Sequence, residues 1–425
     1  MSKYLKKPPK IDSQETGSVA KIVRAMLKDI AENGDAAVQK YAKQLDNWDS
    51  DNFRVGEDEI RQVTSRISET LKEDFAFAKK QVTEFALRQR ESMHEFEVET
   101  EPGIWLGQKL IPVSTVGCYV PGGRYPMISA AIMSVGTARA AGVDHIVACA
   151  PPRDGKGIYE PQLFALHAAG ADEIYALGGV QALGAMAYGC LGMRRIDMLT
   201  GPGNPYVAEA KRQLYGQVGV DLLAGPTEIL VIADDSADPA LVATDLLGQA
   251  EHGTNSPVWL ITTSEEMGRD VIKEIDLQLK TLPTADVAGV AWRDYGEVLV
   301  VDSDDEAIDA SDEYAPEHLE VHTKRDDYYL EHLKNYGSLF LGEESTVAYG
   351  DKGVGTNHTL PTAKAARYTG GLWTGKFIKT LTYQRLDKSA SHRIAPIMSR
   401  LCAIEGMLAH KATADVRHER YKGEQ

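Results

Sequence analysis

The sequence predicts an α/β protein with two successive α/β units, mainly parallel sheets, a helical N-terminal region and a helical C-terminal tail. Three observations lead there. Short apolar runs rich in Val, Ile and Leu alternate with helical-period segments from about residue 105 to 342, the pattern of right-handed βαβ crossovers. The residues before them repeat apolar side chains at helical spacing, and the residues after them are basic with the same spacing.

Taken in order, residues from about Gly17 to Met93 read as consecutive helices. In SVAKIVRAMLKDIAENG, Ile22, Met26 and Ile30 recur at i, i+4 and i+8, Gly34 is placed as a stop, and Asp35 as the N-cap of the next helix. From Trp105 the character changes: LIPVSTVGCYVPGG is strand-like and ends in a Pro-Gly-Gly turn. Helices through AAIMSVGTARAAG, PQLFALHAAG, QALGAMAYG and NPYVAEAKRQLYG then separate strands at HIVACA, EIYAL and IDMLT. Ligands of such sheets sit at the loops that follow the strands, which singles out YVPGG, GGVQ and GPGN. A second α/β stretch runs through TEILVIADD, SPVWLITT, GEVLVV and GSLFLG. The tail from about Gly371 reads as helical, with MSRLCAIEGMLAHKATADVRHERY its longest pattern.

Composition narrows the function classes. In 425 residues, 43% are hydrophobic and 25% charged, as expected of a globular protein with a sizeable core. Lys and Arg number 46 against 62 Asp and Glu, a net charge of −16 that argues against a nucleic-acid partner. No apolar run suits a bilayer span and no signal peptide is recognisable, so the expectation is a cytoplasmic protein without a membrane partner. The four cysteines form no CxxC pair, which disfavours both a disulfide scaffold and a cysteine-cage zinc site.

Two nucleotide-binding look-alikes fail on inspection. GGLWTGK has the spacing of a phosphate-binding loop, but Phe377 replaces the magnesium-binding hydroxyl residue and no strand precedes it. Gly201-Pro-Gly203-Asn-Pro-Tyr206 starts like GxGxxG and ends in a bulky residue. Gln249-Ala-Glu-His252 is a better signal: an amide oxygen and an imidazole at i and i+3, on one face if LVATDLLGQAEHG is a helix, are donors that zinc accepts. Alone, such a pair is more often a surface or satisfied histidine. Further ligands could come from Asp351, His358 or His410, and the absence of HExxH disfavours a zinc protease. Glu317-His318 in APEHL could supply two proton-transfer groups of different pKa, although a helix-start Glu with an incidental His reads the same locally. The residues alone stop there.

Together, VGCYVPGG, LTGPGNPYVAEAKRQ, LLAGPTEILVIAD, GQAEHG, YAPEHLEV, GDKGVGTNHTLPT and EGMLAH resemble, in that order, the histidinol dehydrogenase family over roughly residues 15 to 415. The resemblance implies one Zn²⁺ per subunit on Gln249, His252, Asp351 and His410, an acid–base pair in Glu317 and His318, and NAD along Tyr119, Gln181 and Asn204. It implies substrate contacts from Thr227, Gln249, His252, His318, Asp351, Glu405, His410 and, less directly, His358. It also implies an N-terminal arm (1–18), a larger α/β domain (19–118 plus 229–372) with most zinc and catalytic residues, an NAD-binding Rossmann-like domain (119–228), and a tail (373–425) exchanged between the subunits of a homodimer. The implied chemistry is a four-electron oxidation of a small primary alcohol through a bound aldehyde to a carboxylate, consuming two NAD.

One departure bears on substrate. Histidinol-oxidising members carry a Glu four residues before the zinc-binding Asp, where this chain has Val347. A charge-assisted hydrogen bond to a cationic amine, about 1.5–3 kcal/mol, is thereby lost. Arg124-Tyr125 follows YVPGG where those members have small residues, so a cation is gained. Within the family this is similar to sulfopropanediol 3-dehydrogenase, and implies oxidation of (R)-2,3-dihydroxypropane-1-sulfonate to (R)-3-sulfolactate with Arg124 as a candidate sulfonate partner. The retained Glu405, which in the family faces the imidazole, favours L-histidinol to L-histidine instead. An inactive homologue acting as a binding protein is the alternative from another class.

Overall fold

The computed structural model describes residues 2–9, 16–123 and 125–423, so the expectation for Arg124 lies outside the described residues. The chain has a mixed α/β fold with mainly parallel sheets and divides into two compact units: 1–89 with 113–377, and 90–112 with 378–425. Among the described residues no helix is long and apolar enough to cross a membrane.

The first unit contains two open sheets. In one, strands Thr115–Tyr119, His145–Ala150, Glu173–Ala176, Met198–Thr200 and Gly219–Val220 are all parallel and lie in the order third-second-first-fourth-fifth. The second repeats that order with Ile229–Ala233, Val258–Thr262, Gly296–Val300, His318–His322 and Ser338–Leu341, and adds Lys3–Lys6 antiparallel on its edge. In both sheets the direction of winding reverses between the first and fourth strands, the place where open α/β sheets leave a crevice beyond their carboxyl ends.

Each strand expected between residues 115 and 341 is found, because each run is apolar on both faces and must be covered on both. Thr16–Leu45 breaks at Gly34, where φ is +52°, and the Asp35 carboxylate there accepts from the Leu191 amide. The stretch AAIMSVGTARAAG contains a widened, π-helical turn at Ile132–Gly136.

Packing differs from the expected division in two places. Helix Thr16–Leu45, expected in the larger domain, buries Val23, Leu27, Ile30 and Val38 against the helices Gly179–Tyr188 and Pro205–Leu214 of the five-stranded sheet. Strand Thr115–Tyr119 is the centre of that same sheet, so a boundary at 118 would cut it. The tail is not helical throughout: Ile378–Leu386, with alternating Thr and large side chains, pairs antiparallel with Ile104–Pro112. These strands, Phe96–Glu101 and the helices Lys388–Ile404 and Leu408–Arg420 make the second unit. Helix Leu408–Arg420 has no buried residue, and Leu401, Ile404, Met407 and Leu408 are all exposed.

A buried ion pair fixes the GPGN loop. Lys211 Nζ lies 2.5 Å from Asp221 Oδ1 and donates to the Gly201 carbonyl at 2.9 Å, while Asp221 Oδ2 accepts from Thr200 Oγ1 and the Gly201 amide. Removing one member of such a pair leaves an uncompensated buried charge. Lys211→Met is therefore expected to cost about 3–5 kcal/mol of stability, read as a lower urea midpoint; an unchanged midpoint would refute the lock.

Candidate active site

The site is built where two adjacent parallel strands begin. Ile229 and His318 are register partners at the amino ends of their strands, so Thr227 and Glu228 lie beside Glu317 and His318. Period-two alternation puts His318, Glu320 and His322 on the sheet face that also carries Ile229, Val231 and Ala233, while Leu319 and Val321 enter the opposite core. Helix Pro239–Ala250 covers the first face and presents Asp245 and Gln249, one turn apart. The helix stops at Ala250, so His252 does not share a helix face with Gln249 as expected. It sits on the following turn, its amide bonded to the Gln249 carbonyl at 3.3 Å.

Glu317 is buried, and its Oε2 accepts from Thr227 Oγ1 at 2.5 Å and the Glu228 amide at 3.0 Å. Burial nonetheless raises its carboxyl well above the ordinary range, against those two hydrogen bonds. His318 is 3% exposed; its Nδ1 lies 3.0 Å from the Glu228 carbonyl, which can only accept, so Nδ1 carries the proton. Its Nε2 is buried without a hydrogen-bond partner among the described residues and lies 3.9 Å from Asp351 Oδ1. Burial lowers the pKa of this imidazole, with Asp351 opposing. Burial thus favours the neutral ring, and with Nδ1 donating, Nε2 is the atom left to take a proton.

His358 repeats the arrangement: Nδ1 bonds the Asp351 carbonyl at 2.9 Å and Nε2 is buried without a partner. The His252 imidazole is also depressed by burial, with Asp351 as its largest opposing charge. The Gln249 amide nitrogen donates to Thr227 Oγ1, leaving the lone pairs of its carbonyl oxygen for a metal. Gln249, His252, Asp351, His318, Glu317, Thr227 and His358 are therefore brought together. Among them the Gln249 amide oxygen, the Asp351 carboxylate and the His252 imidazole, with His358 Nε2 buried and unpartnered, are donors that fit a zinc ion. His410 and Glu405 lie in the second unit, both exposed.

The three loops singled out for NAD follow strands of the five-stranded sheet, those after Thr115–Tyr119 and Met198–Thr200 flanking its winding reversal. Tyr119 and Gln181 are buried and tie the loops together: the tyrosine hydroxyl accepts from the Gly179 amide, and the Gln181 amide donates to Asp46. Gln181 Oε1 remains unpartnered. Asn204 is exposed and caps helix Pro205–Leu214. At Gly201, with φ +119°, a Cβ would come within 2.0 Å of the Tyr119 carbonyl, so only glycine lets these two loops meet. The loops fit a cofactor that lies along backbone. Tyr125, one residue beyond the undescribed position, stacks edge-on against His252 with centroids 6.2 Å apart.

Sequence reasoning missed Glu228, whose carbonyl sets the His318 tautomer, and Asp46, which anchors Gln181. Neither stands in a motif; strand register supplies the first and a contact 135 residues apart the second. It also missed Asp245, Glu320 and His322, for which the period-two His-x-Glu-x-His pattern was an available signal.

Comparison with known proteins identifies related chains. The histidinol dehydrogenase family model matches residues 10–418. A histidinol dehydrogenase homolog of Shouchella clausii is 53% identical over 405 residues, covering 95% of each chain. The sulfopropanediol 3-dehydrogenase of Ruegeria pomeroyi is 46% identical, covering 98% of this chain and 96% of that one. The crystal structure of histidinol dehydrogenase from Elizabethkingia anophelis superposes with a TM-score of 0.91 at 34% identity, covering 98% of this chain and 95% of that one.

Burial lifts the Glu228 carboxyl from an ordinary 4.5 to about 7. Between those values the folded state holds a proton that the unfolded state has lost, so this group's contribution to stability is complete below the lower value and falls as pH rises through the upper one. Glu228→Gln removes that dependence. The variant should gain stability relative to the parent as pH rises across this window, by up to about 1.4 kcal/mol per pH unit. Urea midpoints of both proteins across the window check this, and a difference that does not widen with pH contradicts it.

Proposed function

The chain belongs to the histidinol dehydrogenase family, and on that premise we propose that it is a zinc-dependent, NAD-linked dehydrogenase oxidising 2,3-dihydroxypropane-1-sulfonate to 3-sulfolactate. The observation that carries the reading is the buried, neutral His318 whose Nε2 faces Asp351 with no partner of its own. Such an imidazole is a base waiting for a proton from outside the protein.

When bound, zinc on Gln249, His252, Asp351 and a second copy's His410 would polarise the alcohol oxygen, and NAD along Tyr119, Gln181 and Asn204 would accept hydride. His318 takes the hydroxyl proton at Nε2 while the Glu228 carbonyl holds the ring by Nδ1. Glu317, oriented by Thr227 and the Glu228 amide, activates the water that hydrates the aldehyde, and His318, once its first proton has passed to solvent, accepts the second. Each alcohol thereby gives two NADH. The half-buried turn that carries His252 and the buried Asp351 keep the intermediate positioned between steps.

Two features support an anionic substrate. Val347, at the position where histidinol-oxidising relatives carry a Glu, is buried in an apolar cluster. Lys352 Nζ lies 3.8 Å from Asp351, and Tyr125, which follows Arg124 in the sequence, packs edge-on against His252. The identity to the sulfopropanediol enzyme, 46%, points the same way. Exposed Ile404, Met407 and Leu408 around Glu405 and His410 support docking of the tail on a second copy.

Zinc-loaded protein supplied with NAD should consume dihydroxypropanesulfonate with two NADH per alcohol and leave histidinol untouched. Turnover of histidinol alone would reverse the substrate assignment, and turnover of neither would favour a binding role. Glu317→Gln should slow oxidation of supplied aldehyde more than oxidation of alcohol; equal losses would remove its assigned role. Tail exchange predicts complementation between inactive His252→Ala and His410→Ala chains. Randomly mixed, half the dimers are hybrids with one intact site of two, giving about a quarter of parental activity. No recovery would mean that each tail serves its own chain.

A further inference from the structure

Beyond the candidate active site, the same helix and strand carry a second polar cluster. Ligand atoms of Asp245, Glu320 and His322 all lie within 4.8 Å of one another. Glu320 and His322 are essentially without solvent exposure, and Glu320 Oε2, His322 Nδ1 and His322 Nε2 have no hydrogen-bond partner. Glu320 Oε2 and His322 Nε2 are 3.6 Å apart, close to the edge of a tetrahedral zinc site (about 3.4 Å for bonds near 2.1 Å).

The other oxygens are already committed in a way that aims the free ones inward. Glu320 Oε1 accepts from the Val347 amide at 2.9 Å, and Asp245 Oδ1 from Thr346 Oγ1 at 2.9 Å. Outer hydrogen bonds of this kind orient metal-ligating carboxylates. Among the described residues the charged groups that act most on His322 are acidic: Glu320, Asp245, Glu343, Asp326 and Glu344, and burial depresses its imidazole. A buried carboxylate and a half-buried one beside a buried imidazole need either protons or a positive ion. Finally, His322 and Ala233 are register partners at the carboxyl ends of the fourth and first parallel strands, at the winding reversal where open sheets admit ligands.

We propose that Asp245, Glu320 and His322 form a divalent-cation site of the zinc type, separate from the Gln249–His252–Asp351 cluster, with Thr346 Oγ1 or water completing four-coordination. The ion ties together the three segments that present the candidate active-site groups. Asp245 is one turn from Gln249 (about 6 Å), Glu320 two strand residues from His318 (about 6.6 Å), and Thr346 precedes the helix Val347–Lys352 that carries Asp351. It is a structural ion and stands whether or not the other cluster holds zinc.

The test is metal content of the full chain, stripped with chelator and dialysed against Zn²⁺, for the parent, His252→Ala, His322→Gln and the double variant. His322→Gln should lose about one ion per chain relative to the parent, and the double variant about one relative to His252→Ala. Zinc should raise the melting temperature of His252→Ala but not of the double variant. Unchanged zinc content in His322→Gln would overturn the site and leave a proton shared between Asp245 and Glu320. Should that variant fail to fold, zinc-soaked crystals of the parent decide: an anomalous peak between Glu320 and His322 upholds the site, and none there rejects it. Because His252→Ala reads the other cluster separately, failure of either assignment is distinguishable.

Discussion

A strand and a helix meet in this protein with polar faces turned toward each other, inside a core. His318, Glu320 and His322 project from one side of their strand toward a helix bearing Asp245 and Gln249. Burying that seam is unfavourable unless each group finds a partner, and the surrounding architecture supplies them one at a time. Parallel register delivers the Glu228 carbonyl to His318 and the Glu228 amide to Glu317. The next loop gives Thr346 and the Val347 amide to Asp245 and Glu320. What stays unpaired is a small set of inward-facing nitrogens and oxygens, and these are the atoms to which chemistry can be assigned.

The two parallel sheets share one strand order but are used differently. In the five-stranded sheet the ligand-type loops lie beyond the carboxyl ends, as the topology favours. In the six-stranded sheet Glu317 and His318 stand at the amino ends, and the carboxyl end of the same strand pair holds His322. Side chains from within the first unit join the two: Asn357 Nδ2 donates to the Met133 carbonyl, and the Tyr125 hydroxyl to that of Glu251.

Much of this was legible in the sequence. The alternation of apolar runs and helical segments gave both sheets, since a strand covered on two faces has few ways to look. Gln249, His252, Glu317, His318 and Asp351 stand out as candidates by residue type, the family resemblance groups them, and they converge. What escaped were relations carried by register and distant contact. No local pattern announces that Glu228 will lie beside His318, or that Asp46 will hold Gln181. The end of the helix at Ala250 was missed because His252 continues its spacing. Nothing near the strand Ile378–Leu386 marks it as one, because its partner Ile104–Pro112 lies more than 260 residues earlier in the chain.

The buried pair of Lys211 and Asp221 has an implication for how this chain can vary. Neither residue can change alone without stranding a charge, so any route to an apolar pair passes through a less stable intermediate. Even a simultaneous exchange would leave Thr200, the Gly201 amide and the Gly201 carbonyl without counterparts. The two positions should therefore be inherited as a block with the turn they hold, making this loop one of the slowest-drifting pieces of the molecule.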